Sequence, residues 1–504
     1  GRLMPVEYEL PTHLWVRDSR AESDLHLKFT VQFNQHNMDV LHKTLMQISD
    51  PQSATYRQWL TKEYVDELTA PKAVVRARVL AFLTQRLTPF LPIEDMVDHL
   101  RVMAPIAKIE ALFGMEFWRF TSVSNPKDFA IVSPSSYTLP AEIEGEVLFL
   151  TGLTGFPVPK ERRMGARRPL EVTRDDTAGK VAPSVLSRLY GVPASTLLSD
   201  TNSSLCLAEF QNDHSYSPSD LVDFDQQNEL ASARMVQIIG GLSYSPPDGE
   251  ATLDVQYGSA CANNASVWYW SNAGWMYDFS SALYARSPAP YVVSMSWGWT
   301  ETNQCQITSC NGASNAQYIQ ATDNNWMKIT SRGTTLVASS GDQGAPGDAN
   351  PNCLLGSLSV IYPSVSPYVL AVGATALKEP SIQPPPPAGQ NPFCTAVGCS
   401  QSSTEVVCSY PDALITSGGG FSQTEPISAA PWQQAQVQSY VSKNGALLPP
   451  QSLWPASGRA VPDVSALGYE GLSLFSFFSF FFFFFLEQAI LTLDFPAGTI
   501  MSSS

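Results

Sequence analysis

The chain of 504 residues is poor in charge, with 15% Asp, Glu, Lys and Arg against roughly 25% in an average soluble domain. Basic side chains are the scarcer kind, 30 against 46 acidic, for a net charge of −16. A binder of the nucleic-acid backbone needs a basic face, so that class is excluded. Histidine is scarcer still. Five of the six, His13, His26, His36, His42 and His99, precede residue 100, and His214 stands alone after it. The acidic half of the chain therefore offers no Ser–His–Asp triad and no His-rich zinc site. Cysteine is missing before Cys206, and none of the eight forms a paired C-x-x-C motif. Disulfides are expected in place of zinc. Apolar residues are not scarce: at 44% they suffice for a large core and exclude general disorder.

What is present is unevenly spread. Residues 1–170 hold 20 basic and 20 acidic side chains, which leaves 10 basic and 26 acidic for residues 171–504. All eight cysteines fall between Cys206 and Cys408. A weakly charged, carboxylate-rich, Cys-bearing half suits an acidic and oxidising compartment, lysosomal or secreted, where protonation relieves self-repulsion. A cytosolic acidic protein with free thiols is the competing reading. Asn202-Ser203-Ser204 and Asn264-Ala265-Ser266 fit the glycosylation pattern and point the same way. Gly1 to Leu10 show no signal-peptide pattern, which says little about secretion in a chain that does not begin with Met.

Residues 25–34 alternate as a strand, Val40 to Ile48 have helical spacing, and Ser49 to Ser53 form a turn cluster. Thr61 starts a helix towards Leu68, 72–86 read as another, and 106–118 as a short helix with a strand-like end. The mixture predicts an α+β domain over 1–157. Residues 158–182 carry Lys160, Arg162, Arg163, Arg167 and Arg168 and read as an exposed linker, where proteolysis concentrates. From 183 the runs Ser204–Phe210, Met235–Ile239, Ser266–Trp270, Tyr291–Ser296, Thr334–Ser339 and Tyr368–Val372 are apolar and separated by helical or loop segments. That predicts an α/β domain over 183–468, with a parallel sheet covered on both faces. Residues 379–418 read as a long surface loop. Residues 472–486 contain only Phe, Ser and Leu, with Phe480 to Phe485 consecutive. Fifteen residues are short for a membrane span, so 469–504 is expected to be an aberrant Phe-rich tail of translated non-coding sequence. A short hydrophobic anchor is the alternative.

Three stretches could carry chemistry. Glu250 and Asp254 stand four apart, so a helix puts both carboxylates on one face, where repulsion raises one pKa. A solvated helix N-terminus would also welcome them. Asp342, in Ser340-Gly341-Asp342, follows an apolar strand, and the carboxyl end of such a strand is where open α/β sheets place their sites. A turn-capping Asp is the alternative. Ser417-Gly418-Gly419-Gly420 permits close approach of backbone to a ligand, and without a following Gly-Lys-Ser/Thr it is no phosphate loop.

Together these stretches resemble the sedolisin family of acid-acting serine-carboxyl peptidases, on its lysosomal tripeptidyl-peptidase side. The resemblance runs from about residue 25 to 468. It rests on Ser49-Asp50-Pro51-Gln52-Ser53-Ala54-Thr55-Tyr56 with Tyr64 to Pro71, and on Glu250 to Tyr257. It continues through Val293-Ser294-Met295-Ser296-Trp297-Gly298, Ala338 to Asp342, Ser417 to Ser422 and Gly458 to Ala466. It implies a ferredoxin-like pro-domain that inhibits and chaperones, then a subtilisin-like catalytic domain acting on peptides. By the same resemblance Glu250 is the general base, Asp254 orients it, and Asp342 is the protonated oxyanion donor. Ser296, Gly298, Gly418 and Gly419 line the substrate cleft. Carboxylates suit an acid medium, where histidine is protonated and useless as a base.

The family's nucleophile is the Ser of a Gly-Thr-Ser-Ala-Ser motif, and this sequence has only Gly498-Thr499-Ile500 late in the chain. No nucleophile is assigned. The family implies calcium, but its ligands lie in the region this chain does not match, so no metal ligand is assigned either. The sequence thus predicts a tripeptide-releasing peptidase precursor whose catalytic domain is incomplete at its C-terminus. Its partners are peptide substrates and its own pro-domain, with no nucleic acid and no membrane span. An inactive peptide-binding or decoy homologue is the second reading, and a truncated glycoprotein held to membranes by its Phe-rich tail is the third.

Overall fold

A computed structural model describes residues 1–6, 15–88, 90–123, 127–156, 183, 186–187, 190–191, 203–211, 215–232, 235–241, 247–262, 265–347, 357–377, 405–409 and 415–469. The expectations for the 158–182 linker, for Asn202 and Asn264, for most of 379–418 and for the tail from 470 fall outside the described residues. The chain divides into two compact units. One joins Gly1–Pro159 to Asn303–Gly333, and the other joins Lys160–Thr302 to Thr334–Ser504.

The first unit follows a βαββαβ order, the ferredoxin-like arrangement. Its four-stranded sheet runs Glu94–Asp95, His99–Pro105, His26–Phe33, Val147–Thr151, and every neighbouring pair is antiparallel. The helix Met38–Ser49 buries Leu41, Leu45 and Ile48, and Ala73–Leu87 buries Val79, Leu83 and Leu87. Both sets recur every three to four residues, the spacing that puts one stripe of a helix against a core. Thr61 caps Lys62–Thr69 by accepting from the Tyr64 amide at 3.2 Å, as its position before the helix predicts. The helix Ile106–Phe113 ends at Gly114 with φ 67°, a left-handed cap that costs glycine nothing.

The segment Asn303–Gly333 brings a disulfide, Cys305–Cys310, and the helix Asn315–Thr330, capped by Ser314. This helix packs against Met38–Ser49. Near its end Lys328 is fully buried. Its ammonium lies 3.2 Å from Asp98 Oδ2 and donates to Gln35 Oε1 at 3.3 Å, while His99 Nδ1 is 2.7 Å from the other Asp98 oxygen. Burial alone would push the Asp98 carboxyl up; Lys328 and His99 reverse this and hold it well below the usual carboxylate range. The Tyr137 hydroxyl donates to the Asn311 carbonyl at 2.8 Å, and the Leu60 amide to the Ser331 carbonyl at 2.8 Å.

The second unit is built on an eight-stranded sheet. Its order is Met235–Ile239, Ser266–Asn272, Ser204–Phe210, Val292–Met295, Thr335–Ser339, Leu370–Leu377, Glu405–Val407, with Val464–Tyr469 also paired to Leu370–Leu377. All pairings are parallel except that of Glu405–Val407. Every residue of Ser204–Phe210 is buried, as expected of a strand covered on both faces. The six apolar runs are therefore sheet strands. The reading of 379–418 as loop fails at Glu405–Val407, which pairs antiparallel with Leu370–Leu377. A three-residue strand is too short to announce itself by alternation. Among the described residues, no helix is long and apolar enough to cross a membrane.

Candidate active site

The site residues lie at the carboxyl edge of adjacent parallel strands. Ala208 pairs with Met295 and Met295 with Ala338, so Glu209, Ser296 and Ser339 follow at one level. In an open parallel sheet that edge is where ligands bind.

Asp254 enters from the helix Gly249–Cys261, whose N-cap is Asp248. The helix buries Ala251, Leu253, Asp254, Val255, Tyr257 and Gly258, so it is covered on more than one side. Asp254 is 0% exposed, which removes the solvated-face alternative for this residue. The Ser296 hydroxyl donates to Asp254 Oδ2 at 2.8 Å. Burial first, then the charges of Glu209 and Glu250, push the Asp254 carboxyl well above the usual range, against the lowering effect of the Ser296 bond. Glu250, one turn earlier, is half-buried. The sequence predicts a two-carboxylate pair, and the structure adds a third member. Glu209 is buried in the strand Ser204–Phe210, bonds to Asp254, and accepts from Trp297 Nε1 at 2.7 Å. Its one available sign in the sequence was an acid inside an otherwise apolar strand, a costly placement unless the group is partnered.

Asp342 belongs to a second cluster. Gly341 has φ 107°, which lets the chain turn sharply after Thr335–Ser339. The Thr416 amide donates to the Asp342 carbonyl at 2.8 Å, the Gly344 amide to the Thr416 carbonyl at 3.0 Å, and the Gly418 amide to the Gly341 carbonyl at 2.7 Å. A Cβ on Gly418 would stand 2.0 Å from the Ser340 carbonyl oxygen, so only glycine permits this approach. Burial, with Asp342 beside it, pushes the thiol of buried Cys408 up to about 12, and Cys408 is not in a disulfide. Gly298 is likewise forced: a Cβ there would meet Ile361 Cγ2 at 2.3 Å. Structure thus gathers the seven predicted residues into two groups, Glu250, Asp254, Ser296 and Gly298 in one and Asp342, Gly418 and Gly419 in the other. Among the described residues, no group of three or more His, Cys, Asp or Glu is placed to hold a metal ion.

Residues 13–156 match the family described as "Pro-kumamolisin, activation domain", and residues 246–487 match the subtilase family. Physarolisin of Physarum polycephalum is 40% identical over 466 residues, covering 92% of this chain and 79% of that protein. The chain belongs to the sedolisin family. Tripeptidyl-peptidase 1 of Mus musculus is a further relative of this sedolisin, 30% identical over 477 residues, 90% of this chain and 75% of that one. Among solved structures, Pseudomonas sedolisin, a serine-carboxyl proteinase, aligns distantly, with a TM-score of 0.44 and 23% identity over 64% of this chain and 84% of that one. Family membership gives residues 13–156 their character as an activation domain and residues 246–487 their character as a subtilisin-like peptidase fold.

Proposed function

We propose that the chain is the precursor of an acid serine-type peptidase that releases tripeptides from free peptide N-termini, in a lysosomal or extracellular acid compartment. The observation that carries this is the buried Glu209–Asp254 pair beside Glu250, with Ser296 on Asp254. Such a cluster holds protons at a pH where lone carboxylates have lost them. Glu250 then takes the proton of a serine hydroxyl as that oxygen attacks the scissile carbonyl carbon. Asp254 keeps Glu250 oriented, and protonated Asp342 donates to the oxyanion that forms. Glu250 returns the proton to the leaving amine as the carbon–nitrogen bond breaks, and water resolves the acyl-enzyme by the same route. The 504 residues contain no Gly-Thr-Ser, so they supply the base and the oxyanion side of this chemistry but not its nucleophile. That absence favours one second reading, a peptide-binding homologue that performs no acyl transfer.

The test is a fluorogenic tripeptide amide at about pH 4, near the ordinary carboxylate pKa. The 504-residue chain is compared with the protein from a transcript sequenced past residue 468. Turnover by the second alone supports the peptidase reading. Turnover by neither supports the binding reading. Turnover by the 504-residue chain that is lost on Glu250→Ala refutes the assignment of a missing nucleophile.

A further inference from the structure

Glu301 is a glutamate that neither the motifs nor the proposed chemistry uses, and it is 0% exposed. It follows the Ser296-Trp297-Gly298 segment by three residues. Its backbone is fixed by the antiparallel pairs Trp299 with Tyr362 and Thr300 with Ile361, and by donation from the Glu301 amide to the Val360 carbonyl at 3.0 Å. Its carboxylate is gripped by the strand Gly420–Pro426. One oxygen accepts from the Ser422 hydroxyl at 2.6 Å and the Thr424 hydroxyl at 2.7 Å, and the other from the Gln423 amide at 2.7 Å. The Thr424 amide, at 3.4 Å, is a fourth donor, and four donors on one buried carboxylate make a charge-assisted clamp, stronger and more directional than apolar packing would be. Burial pushes this carboxyl up, and these bonds pull it back.

The strand it grips is the continuation of Gly418 and Gly419. That glycine run is in turn bonded to the Asp342 loop through the Thr416, Gly418 and Gly344 amides. Glu301 therefore ties two walls together. One carries Ser296 on Asp254; the other carries the glycines and Asp342. We infer that Glu301 is a positioning residue that fixes the Gly418–Gly419 wall of the peptide cleft against the Ser296–Gly298 wall, and so sets where an extended peptide backbone lies. This rests on the peptidase-cleft reading for its meaning, though the clamp itself does not. A purely local staple would matter only at Ser422–Thr424. A positioning role has to reach the Asp342 loop.

Hydrogen exchange on the full 504-residue chain separates the two. Hydrogen bonds to a charged group are worth enough that Glu301→Ala is expected to speed exchange about tenfold or more across 416–426 and at 341–344. Ser204–Phe210 and Ser266–Asn272 should keep their wild-type rates. Glu301→Gln keeps one acceptor oxygen and nearly the same volume, and should return both segments to within about threefold of wild type. If Glu301→Ala unfolds the whole unit, Thr424→Val, which removes one hydroxyl donor, should give the same pattern at smaller amplitude. Exchange that rises at 422–424 while 341–344 stays still, in whichever of these variants folds, overturns the proposal. So does a Glu301→Gln chain no better than Glu301→Ala where both fold. In the protein read past residue 468, Thr424→Val should raise KM for the tripeptide amide severalfold with kcat nearly unchanged. A fall in kcat at constant KM contradicts a backbone-positioning role. If no form turns over the amide, the peptidase reading fails and the exchange data still decide the clamp.

Discussion

Replacing Lys328 by Met is the most informative single change in the first unit. The ammonium is fully buried, 3.2 Å from Asp98 Oδ2, and the Asp98 side chain is only 12% exposed. Methionine fills similar space but leaves the Asp98 carboxylate without its cation. Breaking a buried pair from one side costs about 3–5 kcal/mol. Because His99 still stands 2.7 Å from the other oxygen, the lower end is expected, about 3 kcal/mol, or roughly a hundredfold in the folding equilibrium. Adding Asp98→Leu should recover most of that loss, since an apolar pair of similar volume is often no worse than a buried ion pair.

The pH dependence provides a second signature. In the wild type the Asp98 carboxyl is depressed. Its contribution is complete above the ordinary carboxylate pKa of about 4 and is lost only as pH falls through its much lower folded value. Moving from pH 7 to 4 therefore leaves the pair nearly intact. Without Lys328, burial is the leading influence and raises the same carboxyl. The variant's penalty should then be greatest at pH 7 and shrink as pH falls through the raised value. Urea unfolding at both pH values, with hydrogen exchange read at His26–Phe33 and Asn315–Thr330, measures both effects. A penalty that does not change with pH, or a double variant as weak as Lys328→Met, refutes the reasoning.

The second unit should respond to pH in the opposite sense. Asp254 and Glu301 are both raised by burial, so the native unit keeps protons that the unfolded chain has released. Its stability should be highest in acid and fall as pH rises from about 4 through the raised values, by at most about 1.4 kcal/mol per pH unit for each group. Thermal unfolding across pH 4 to 8 that shows no such fall contradicts the assignment. Glu209→Gln keeps an acceptor for Trp297 while removing a charge beside Asp254, so it should flatten that slope, and an unchanged slope would show that the Glu209 charge does not reach Asp254. Ser296→Ala strips a donor from a buried carboxylate and should cost about 1–3 kcal/mol, more at pH 7 than at pH 4, in the same titration.

Six of the eight sheet strands were legible as short apolar runs, the pattern of strands covered on both faces, although Met235–Ile239 lies at the sheet edge with Val236 and Ile238 exposed. The helices of the first unit were legible because a stripe of buried residues recurs every three to four positions. Asp254 could be named from its motif, yet the reason for its unusual chemistry could not be read there. Spacing alone left open a repelling carboxylate pair or a solvated helix N-terminus, and burial with Glu209 beside it makes it a proton-sharing group. What escaped the sequence is pairwise and distant. Lys328 meets Asp98 across 230 residues, and Glu301 meets Ser422 across 121. Neither partner stands out in composition or local pattern, since a lone Lys or Glu in a helix or turn reads as a solvated charge. Both prove to be buried, and a buried charge is tolerated only where donors or an opposite charge meet it. The two cases differ in how they answer to acid. The Asp98 carboxyl is held down by a cation and so keeps its charge as pH falls to 4. Glu301 and Asp254 are met by hydroxyls, amides and other carboxylates, and burial moves them up towards the proton. A chain that works in acid can use both devices at once: a cation holds a contact that acid leaves closed, and buried carboxyls supply protons that a lone surface carboxylate would already have released.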